Sequence, residues 1–306
     1  MKIYNNISEV IGRTPLVRLN NLEDENMAEI LVKLEGMNPG GSVKDRPALY
    51  MIIDAEKRGI LKEGDTIIEG TSGNMGISLA MIGAAKGYKV ILVMPDTMSM
   101  ERRNLMKAYG AQLILTKGKL GMSEANRVAE EMAEENNYFL PRQFSNMANL
   151  KSHVETTAVE VLEDTEGELD AFVAGVGTGG TISGVGKILK EKNKDIVTVA
   201  VQPEDSPVLT GGAAASHKIQ GLGANFVPDI YDKEAVDEVI DIGTEESFKY
   251  ARYLGKEEGI FVGISAGANL AAAIIVAKRL GEGKRVVVVL PDTGERYLST
   301  ALYTEE

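Results

Sequence analysis

The chain of 306 residues contains no cysteine. That excludes disulfide bonds, a thiolate nucleophile and any metal site built on sulfur. Histidine is almost as scarce, because His153 and His217 are far apart in sequence and give no ligand spacing, so no metal site is expected. Positive charge is also short. Lys and Arg number 33 against 45 Asp and Glu, a formal charge of −12, and a nucleic-acid partner would need clustered cationic surface that this balance lacks. Long apolar runs are missing too: Ala271 to Ala277 and Val286 to Leu290 are far too short to span a bilayer, and the N-terminal residues show no basic-then-apolar leader pattern. The expected location is the cytoplasm. No internal repeat, low-complexity tract or linker is visible, and Gly211 to Ala215 is expected to be only a mobile loop.

What is present is alternation. Short β-branched runs at Ile30 to Leu34, Thr66 to Glu69, Val90 to Pro95, Gln112 to Thr116, Ala171 to Ala174, Val197 to Gln202 and Arg285 to Leu290 read as buried strands. Between them, Asp45 to Arg58, Met75 to Lys86, Ser99 to Tyr109, Ser123 to Glu135, Ala148 to Glu163, Thr181 to Glu191, Glu245 to Glu258 and Ala266 to Leu280 read as helices. Such alternation implies an α/β fold with parallel sheets covered by helices on both faces. The length calls for one large or two interleaved domains.

One lysine and three glycine-rich turns can carry chemistry. Asn38-Pro-Gly-Gly-Ser-Val-Lys44-Asp-Arg46 places Lys44 where a strand-like run, a glycine turn and a helix meet. Desolvation and the positive end of the helix dipole disfavour an ammonium there, so a neutral amine able to form a Schiff base becomes accessible. The first turn, Glu69 to Gly76, follows a strand and opens a helix. Its Thr71, Ser72 and Gly73 suit a carboxylate, although plain helix capping by Ser72 or Asn74 explains the pattern equally well. The second, Ala174 to Thr181, offers Gly177, Thr178, Gly179, Gly180 and Thr181 as a phosphate cradle. Gly175, Gly177 and Gly180 also satisfy G-x-G-x-x-G, with Glu204 after the next strand, so a nicotinamide-dinucleotide site is an alternative. A Walker loop is excluded because no G-K-[ST] closes the turn. The third, Gly263-Ile-Ser265-Ala-Gly267 after a strand-like Gly259 to Val262, matches the G-x-S-x-G elbow of hydrolases. Both histidines precede Ser265, so the required Ser, acid, His order cannot be met.

Taken together these motifs resemble the cysteine synthase and cystathionine β-synthase family, pyridoxal-phosphate enzymes of fold type II with the tryptophan synthase β-like fold. Gln143 in Pro141-Arg-Gln-Phe-Ser-Asn-Met147, the loop His217 to Ala224 and the segment Pro291 to Thr300 extend the resemblance from Ile11 to Thr300. It implies two interleaved three-layer domains with mainly parallel sheets and pyridoxal phosphate in the cleft between them. The smaller, mobile, substrate-side domain would cover about 45–150 and the larger cofactor domain about 1–44 plus 151–306. Ending near Thr300, the chain is expected to lack a regulatory extension.

The resemblance also implies roles. Lys44 carries the internal aldimine and, once displaced, removes the α-proton; Asn74 holds the phenolic oxygen of the cofactor. Thr71, Ser72, Gly73, the residue at Met75 and Gln143 grip the α-carboxylate, with Gly221 in the loop beside the substrate. Gly177, Thr178, Gly179, Gly180 and Thr181 bind the phosphate, and Ser265 hydrogen-bonds the pyridine nitrogen. Met75 departs from the family's Thr, and a thioether cannot donate that hydrogen bond. The implied reaction is β-replacement through an α-aminoacrylate, O-acetylserine and sulfide giving cysteine and acetate. The alternative consumes cysteine, releases hydrogen sulfide and forms serine, lanthionine or cystathionine. Attack by water would need a base. Asp232 is the candidate, although an Asp ahead of Lys-Glu-Ala-Val is also a good helix N-cap. The family suggests a homodimer, whereas serine acetyltransferase as a partner has no support in the residues.

Overall fold

In the computed structural model, which describes residues 3–22 and 26–304, the strands form two sheets. They are β1 (Leu16–Arg18), β2 (Glu29–Leu34), β3 (Thr66–Gly70), β4 (Lys89–Pro95), β5 (Gln112–Thr116), β6 (Ala171–Gly175), β7 (Val197–Pro203), β8 (Glu238–Ile242) and β9 (Arg285–Leu290). The larger sheet runs β1-β2-β9-β6-β7-β8 and is parallel except for the edge strand β1, while β3-β4-β5 is parallel throughout. The helices are α1 (Asp45–Lys57), α2 (Asn74–Lys86), α3 (Met100–Ala108), α4 (Gly121–Asn136), α5 (Met147–Ser152), α6 (Ala158–Asp164), α7 (Gly180–Lys192), α8 (Thr244–Glu257), α9 (Ile264–Leu280) and α10 (Ala301–Thr304).

Side-chain alternation along the strands produces three layers around each sheet. In β4, Val90, Leu92 and Met94 enter a cluster with Met51 and Ile52 of α1 and Ile77 and Met81 of α2. Ile91 and Val93 point the other way, into a cluster with Ala125 and Ala129 of α4. The larger sheet repeats the arrangement: Val286, Val288 and Leu290 of β9 pack with α8 and α9, and Val287 and Val289 with Ile182, Val185 and Leu189 of α7. Because both faces are covered, the central strands are apolar at nearly every position.

The described residues fall into two compact units, one within Met1–Ile11 and Asn38–Asn149, the other within Gly12–Met37 and Leu150–Glu306. This moves the division expected from sequence, which gave 1–44 to the larger unit. Ile11 packs on the apolar cluster of α1 and α2, and the Gly40 N–H is tied to the Asp45 carboxylate at the head of α1. Lys44 therefore belongs to the smaller unit.

Other corrections concern elements. The expected strand Gly259 to Val262 is a single bridge, Val262 to Thr293, which no ladder extends among the described residues. β1 and β8 were not anticipated. The expected helix Ala148 to Glu163 is α5 and α6 joined by a π turn at His153–Thr157. Against that turn lies α7, where a Cβ on Gly184 would come within 2.7 Å of the Leu150 carbonyl oxygen and 2.8 Å of His153 Cβ.

Candidate active site

In the first unit α1 starts directly after Lys44, which takes the N-cap position without a side-chain capping bond. Beneath it Asp45 is fully buried; its Oδ2 accepts the Gly40 N–H at 2.5 Å and its Oδ1 accepts the Ser78 hydroxyl at 2.5 Å. A buried carboxylate is tolerated only when its oxygens are matched in this way. Ser78 lies on α2 with its hydroxyl 3.0 Å from the Asn74 carbonyl oxygen. The heads of α1 and α2 are thus fastened together by one buried contact, with Lys44 on one side of it and Asn74 on the other.

The turn that ends at Asn74 is shaped for an anion. Thr71 is the last residue tied to the sheet, its N–H donated to the Val93 carbonyl at 3.0 Å, and Thr71 Oγ1 accepts the Gly73 N–H at 3.4 Å. Gly73 caps α2 and brings no side chain, so the first amides of the helix have no side-chain cap. Ser72, Gly73 and Asn74 are half-buried. Met75 differs: it is buried and sits in the apolar cluster of this unit. Its thioether belongs to the core, and any part in binding falls to its backbone N–H.

Gln143 is buried with both backbone groups clamped. Its N–H is donated to Glu69 Oε1 at 3.2 Å, and its carbonyl accepts from Asn149 Nδ2 at 2.8 Å. The neighbouring Arg142 N–H is donated to Glu69 Oε2, also at 3.2 Å. Burial pushes the Glu69 carboxyl up to about 7, against the pull of these two amides.

In the second unit, α7 starts after Gly179, which is left-handed at φ 85° and carries no side-chain cap. A Cβ on Gly177 would lie 2.5 Å from the Gly221 carbonyl oxygen, and one on Gly179 would lie 2.9 Å from Tyr231 Cβ. Only glycine fits at these two positions. The Gly180 N–H is donated to Thr178 Oγ1 at 3.4 Å, and the positive end of α7, with no side-chain cap from Gly179, is a place where an anion could be received. Thr181, in the first turn, has its hydroxyl 3.3 Å from Nε2 of the buried His153, whose Nδ1 is 2.9 Å from Thr157 Oγ1.

Ser265 stands in the first turn of α9, buried, behind the cap residue Gly263. A Cβ on Gly221 would lie 3.5 Å from Ser265 Oγ, which places that loop beside the serine. Tyr297 donates its hydroxyl to Asp292 Oδ2 at 2.6 Å, and both side chains press on Gly263, where a Cβ would be 2.3 Å from each. The last glycine of the G-x-S-x-G pattern has a packing cause: a Cβ on Gly267 would lie 1.9 Å from the Ser247 carbonyl oxygen of α8. His217 Nε2 is 3.0 Å from the Gly223 carbonyl, so it acts as a donor within its own loop. Asp232 Oδ1 accepts the Glu234 N–H at 3.0 Å, and the Asp232 N–H is donated to Ser183 Oγ at 2.9 Å. Its side chain caps the short turn Lys233–Ala235.

Taken each by itself, the first unit offers a lysine at a helix start, and the second offers a glycine-rich helix start and the buried hydroxyl of Ser265, groups of the kinds that an aldehyde, a phosphate and a ring nitrogen call for. The chain belongs to the pyridoxal-phosphate dependent enzyme family, whose model matches residues 7–292. It is 56% identical to a cysteine synthase of Staphylococcus aureus (strain Mu50 / ATCC 700699) over 304 residues, 99% of this chain and 98% of the relative. Among solved structures, a cysteine synthase of Entamoeba histolytica superposes with a TM-score of 0.96 at 49% identity, covering 100% of this chain and 92% of that one. A hydrogen sulfide-producing enzyme of Fusobacterium nucleatum gives a TM-score of 0.92 at 47% identity, covering 97% and 100%. The fold is the tryptophan synthase β-like α/β fold with mainly parallel sheets, and pyridoxal phosphate is the cofactor. The nicotinamide reading of Gly175, Gly177 and Gly180 is set aside on that ground.

Among the described residues no group of three or more His, Cys, Asp or Glu could hold a metal ion, and no helix is long and apolar enough to cross a membrane. Sequence reasoning missed Asp45, Glu69 and His153, each of which holds a backbone or hydroxyl of a motif. A signal existed for two of them. An acid inside Thr66-Ile-Ile-Glu69-Gly70, or directly behind a helix-start lysine, has few ways to stay solvated.

Proposed function

We propose that the chain catalyses β-replacement on O-acetylserine, with sulfide as the second substrate and cysteine and acetate as products. The observation that carries this reading is the buried Asp45–Ser78 contact at 2.5 Å, which fixes the lysine-bearing head of α1 against the Thr71 to Asn74 turn at the head of α2. Pyridoxal phosphate, when bound, supplies a carbonyl that condenses with amines and an electron sink for charge developed at Cα. In this reading Lys44 would hold the cofactor, and its amine, when free, would be the base for the Cα proton. Thr71, Ser72, Gly73 and Gln143 would orient the substrate carboxylate, and Asn74 would donate to the phenolic oxygen. Gly177 to Thr181 would hold the phosphate through the amides of the α7 start. Ser265 would face the ring nitrogen as a neutral partner, which drains less charge from Cα than a carboxylate would and so favours loss of acetate from Cβ. Acetate would leave with the pair of the Cβ–O bond, hydrosulfide would supply the pair for the Cβ–S bond, and the proton held on Lys44 would return to Cα.

A homodimer and a cytoplasmic location belong to the same reading, with light scattering and cell fractionation as their tests. The activity itself is tested by product analysis with O-acetylserine and sulfide in one tube and cysteine alone in another. Cysteine and acetate in the first tube support the proposal. Their absence refutes it.

A second reading runs cysteine and water to serine and hydrogen sulfide. Met75 keeps it open, since a thioether has no hydroxyl to grip the carboxylate and this one is packed in the core. Asp232 would then be the base for water, using Oδ2 while Oδ1 keeps the cap. In that case Asp232→Asn lowers serine formation more than sulfide release; proportional loss of both returns Asp232 to capping alone.

A further inference from the structure

We propose that Glu69 is a positioning residue for the substrate carboxylate: its side chain sets the backbone that presents Gln143 and makes recognition of the carboxylate depend on pH. This rests on Gln143 being a carboxylate donor. Glu69 stands near the end of β3, two residues before Thr71, so one side chain connects the strand that opens the Thr71 turn with the loop that carries Gln143. Of its two oxygens, one accepts the Arg142 N–H and the other the Gln143 N–H, each at 3.2 Å.

Arg142 adopts φ 56°, a left-handed conformation that non-glycine residues rarely take. A left-handed residue turns successive N–H groups to one side, making a small concavity for an oxyanion. Glu69 fills it. The charged groups that face Glu69 are Arg142 of the same loop and Glu130 of α4, and they oppose each other in effect while pairing together at 2.9 Å. From β4 its register partner is Leu92, and α4 adds the uncharged Asn126, packed on Gly70. Burial is therefore the main influence on its titration, and its midpoint is pushed up to about 7.

Ionised Glu69 offers a strong acceptor to both amides; protonation makes one oxygen a hydroxyl, a poorer acceptor, and loosens the hold on one of them. The adjoining cavity of about 140 Å³, lined by Asn126, Glu130, Arg142, Gln143 and Ser145 among others, gives the loop room to shift. Carboxylate recognition should accordingly strengthen as pH rises through about 7.

The test uses holoenzyme and compares KM and kcat for O-acetylserine across roughly pH 6 to 8.5 in wild type, Glu69→Gln, Gln143→Ala and the double variant. Ionisation of the substrate is common to all four and cancels in their ratios. Loss of one charge-assisted hydrogen bond corresponds to about a tenfold higher KM with little change in kcat. The ratio of KM in Glu69→Gln to wild type should grow as pH rises through about 7, and Glu69→Gln should add nothing in the Gln143→Ala background. A ratio independent of pH overturns the inference. If Glu69→Gln does not fold, the ratio of Gln143→Ala to wild type carries the same test, growing with pH if the inference holds and staying flat if it does not. Unchanged KM in Gln143→Ala at every pH would instead sink the role given to Gln143.

Discussion

Gly177→Ala adds a single methyl group to the phosphate turn, and its consequence can be worked from geometry. The new Cβ would lie 2.5 Å from the Gly221 carbonyl oxygen, and contacts under about 3.0 Å are essentially never seen, so one of the two must move by at least about 0.5 Å. The obstacle is backbone, which cannot rotate out of the way. On one side, moving Gly177 displaces the amides that open α7; on the other, moving Gly221 shifts a loop that touches Ser265. Overpacking of this kind costs about 1–3 kcal/mol. If the strain falls on the bound turn, pyridoxal phosphate affinity should drop about 5- to 150-fold. The assay is a titration of apoenzyme with pyridoxal phosphate, followed by visible absorbance, with apoenzyme melting as the control for general unfolding. Gly73→Ala is the matched comparison, because a Cβ there meets nothing within 4 Å. It should leave cofactor affinity and melting unchanged and raise KM for the amino acid. Wild-type cofactor affinity in Gly177→Ala would refute the placement of the phosphate at this turn.

Lys44→Ala should lose multiple-turnover β-replacement, because no second amine is proposed both to anchor the cofactor and to take the Cα proton; steady-state product formation measures it, and sustained turnover would contradict the assignment. Ser265→Asp replaces a neutral hydroxyl by a carboxylate able to keep a proton on the ring nitrogen, so β-replacement should slow relative to Cα hydrogen exchange in deuterium oxide. A proportional change in both rates would refute that role. The raised Glu69 carboxyl also makes a stability statement. Its folded value lies above the ordinary value of 4.5, so its contribution is full below about 4.5 and is lost as pH rises through about 7. That amounts to about 3 kcal/mol. Glu69→Gln, neutral throughout, should gain by up to that amount relative to wild type between about pH 5 and pH 8 in denaturant unfolding. A difference that stays constant with pH would contradict it.

Much of the fold was legible because central parallel strands are continuous apolar runs. Gln112–Thr116 and Arg285–Leu290 have the expected bounds, and five more of the expected strands differ by a residue at one end or the other. The failures lie where tertiary pairing, not composition, defines the element. β8 is Glu238-Val-Ile-Asp-Ile, an edge strand whose charged residues break the buried pattern. β1 is only three residues long and exists by pairing with β2. Ile260-Phe-Val262 has strand composition, but its Ile260 N–H is donated to the Leu254 carbonyl at the end of α8, and no ladder forms. The π turn at His153–Thr157 leaves no mark in helical periodicity.

The candidate site divides along the same line. Lys44, the Thr71 turn, the Gly177 turn and Ser265 are local patterns, each needing only a helix start and a few neighbours, and local patterns survive in sequence. The groups that hold them act across distance: Glu69 bonds residues 73 and 74 positions away, Asp45 reaches 33 positions to Ser78, and His153 reaches 28 to Thr181. No spacing rule encodes such contacts. What sequence does carry is the anomaly of an acid among apolar neighbours. Glu35, Asp45, Glu69 and Asp292 are all buried, and each accepts from a neighbouring segment: from Thr14 for Glu35, Gly40 and Ser78 for Asp45, Arg142 and Gln143 for Glu69, Tyr297 for Asp292. A buried carboxylate that is stable only with donors in fixed places also fixes the places of its donors. In this protein Asp45 and Glu69 spend that constraint on the backbone beside Lys44 and Gln143, so their truncation should disturb the site more than the core.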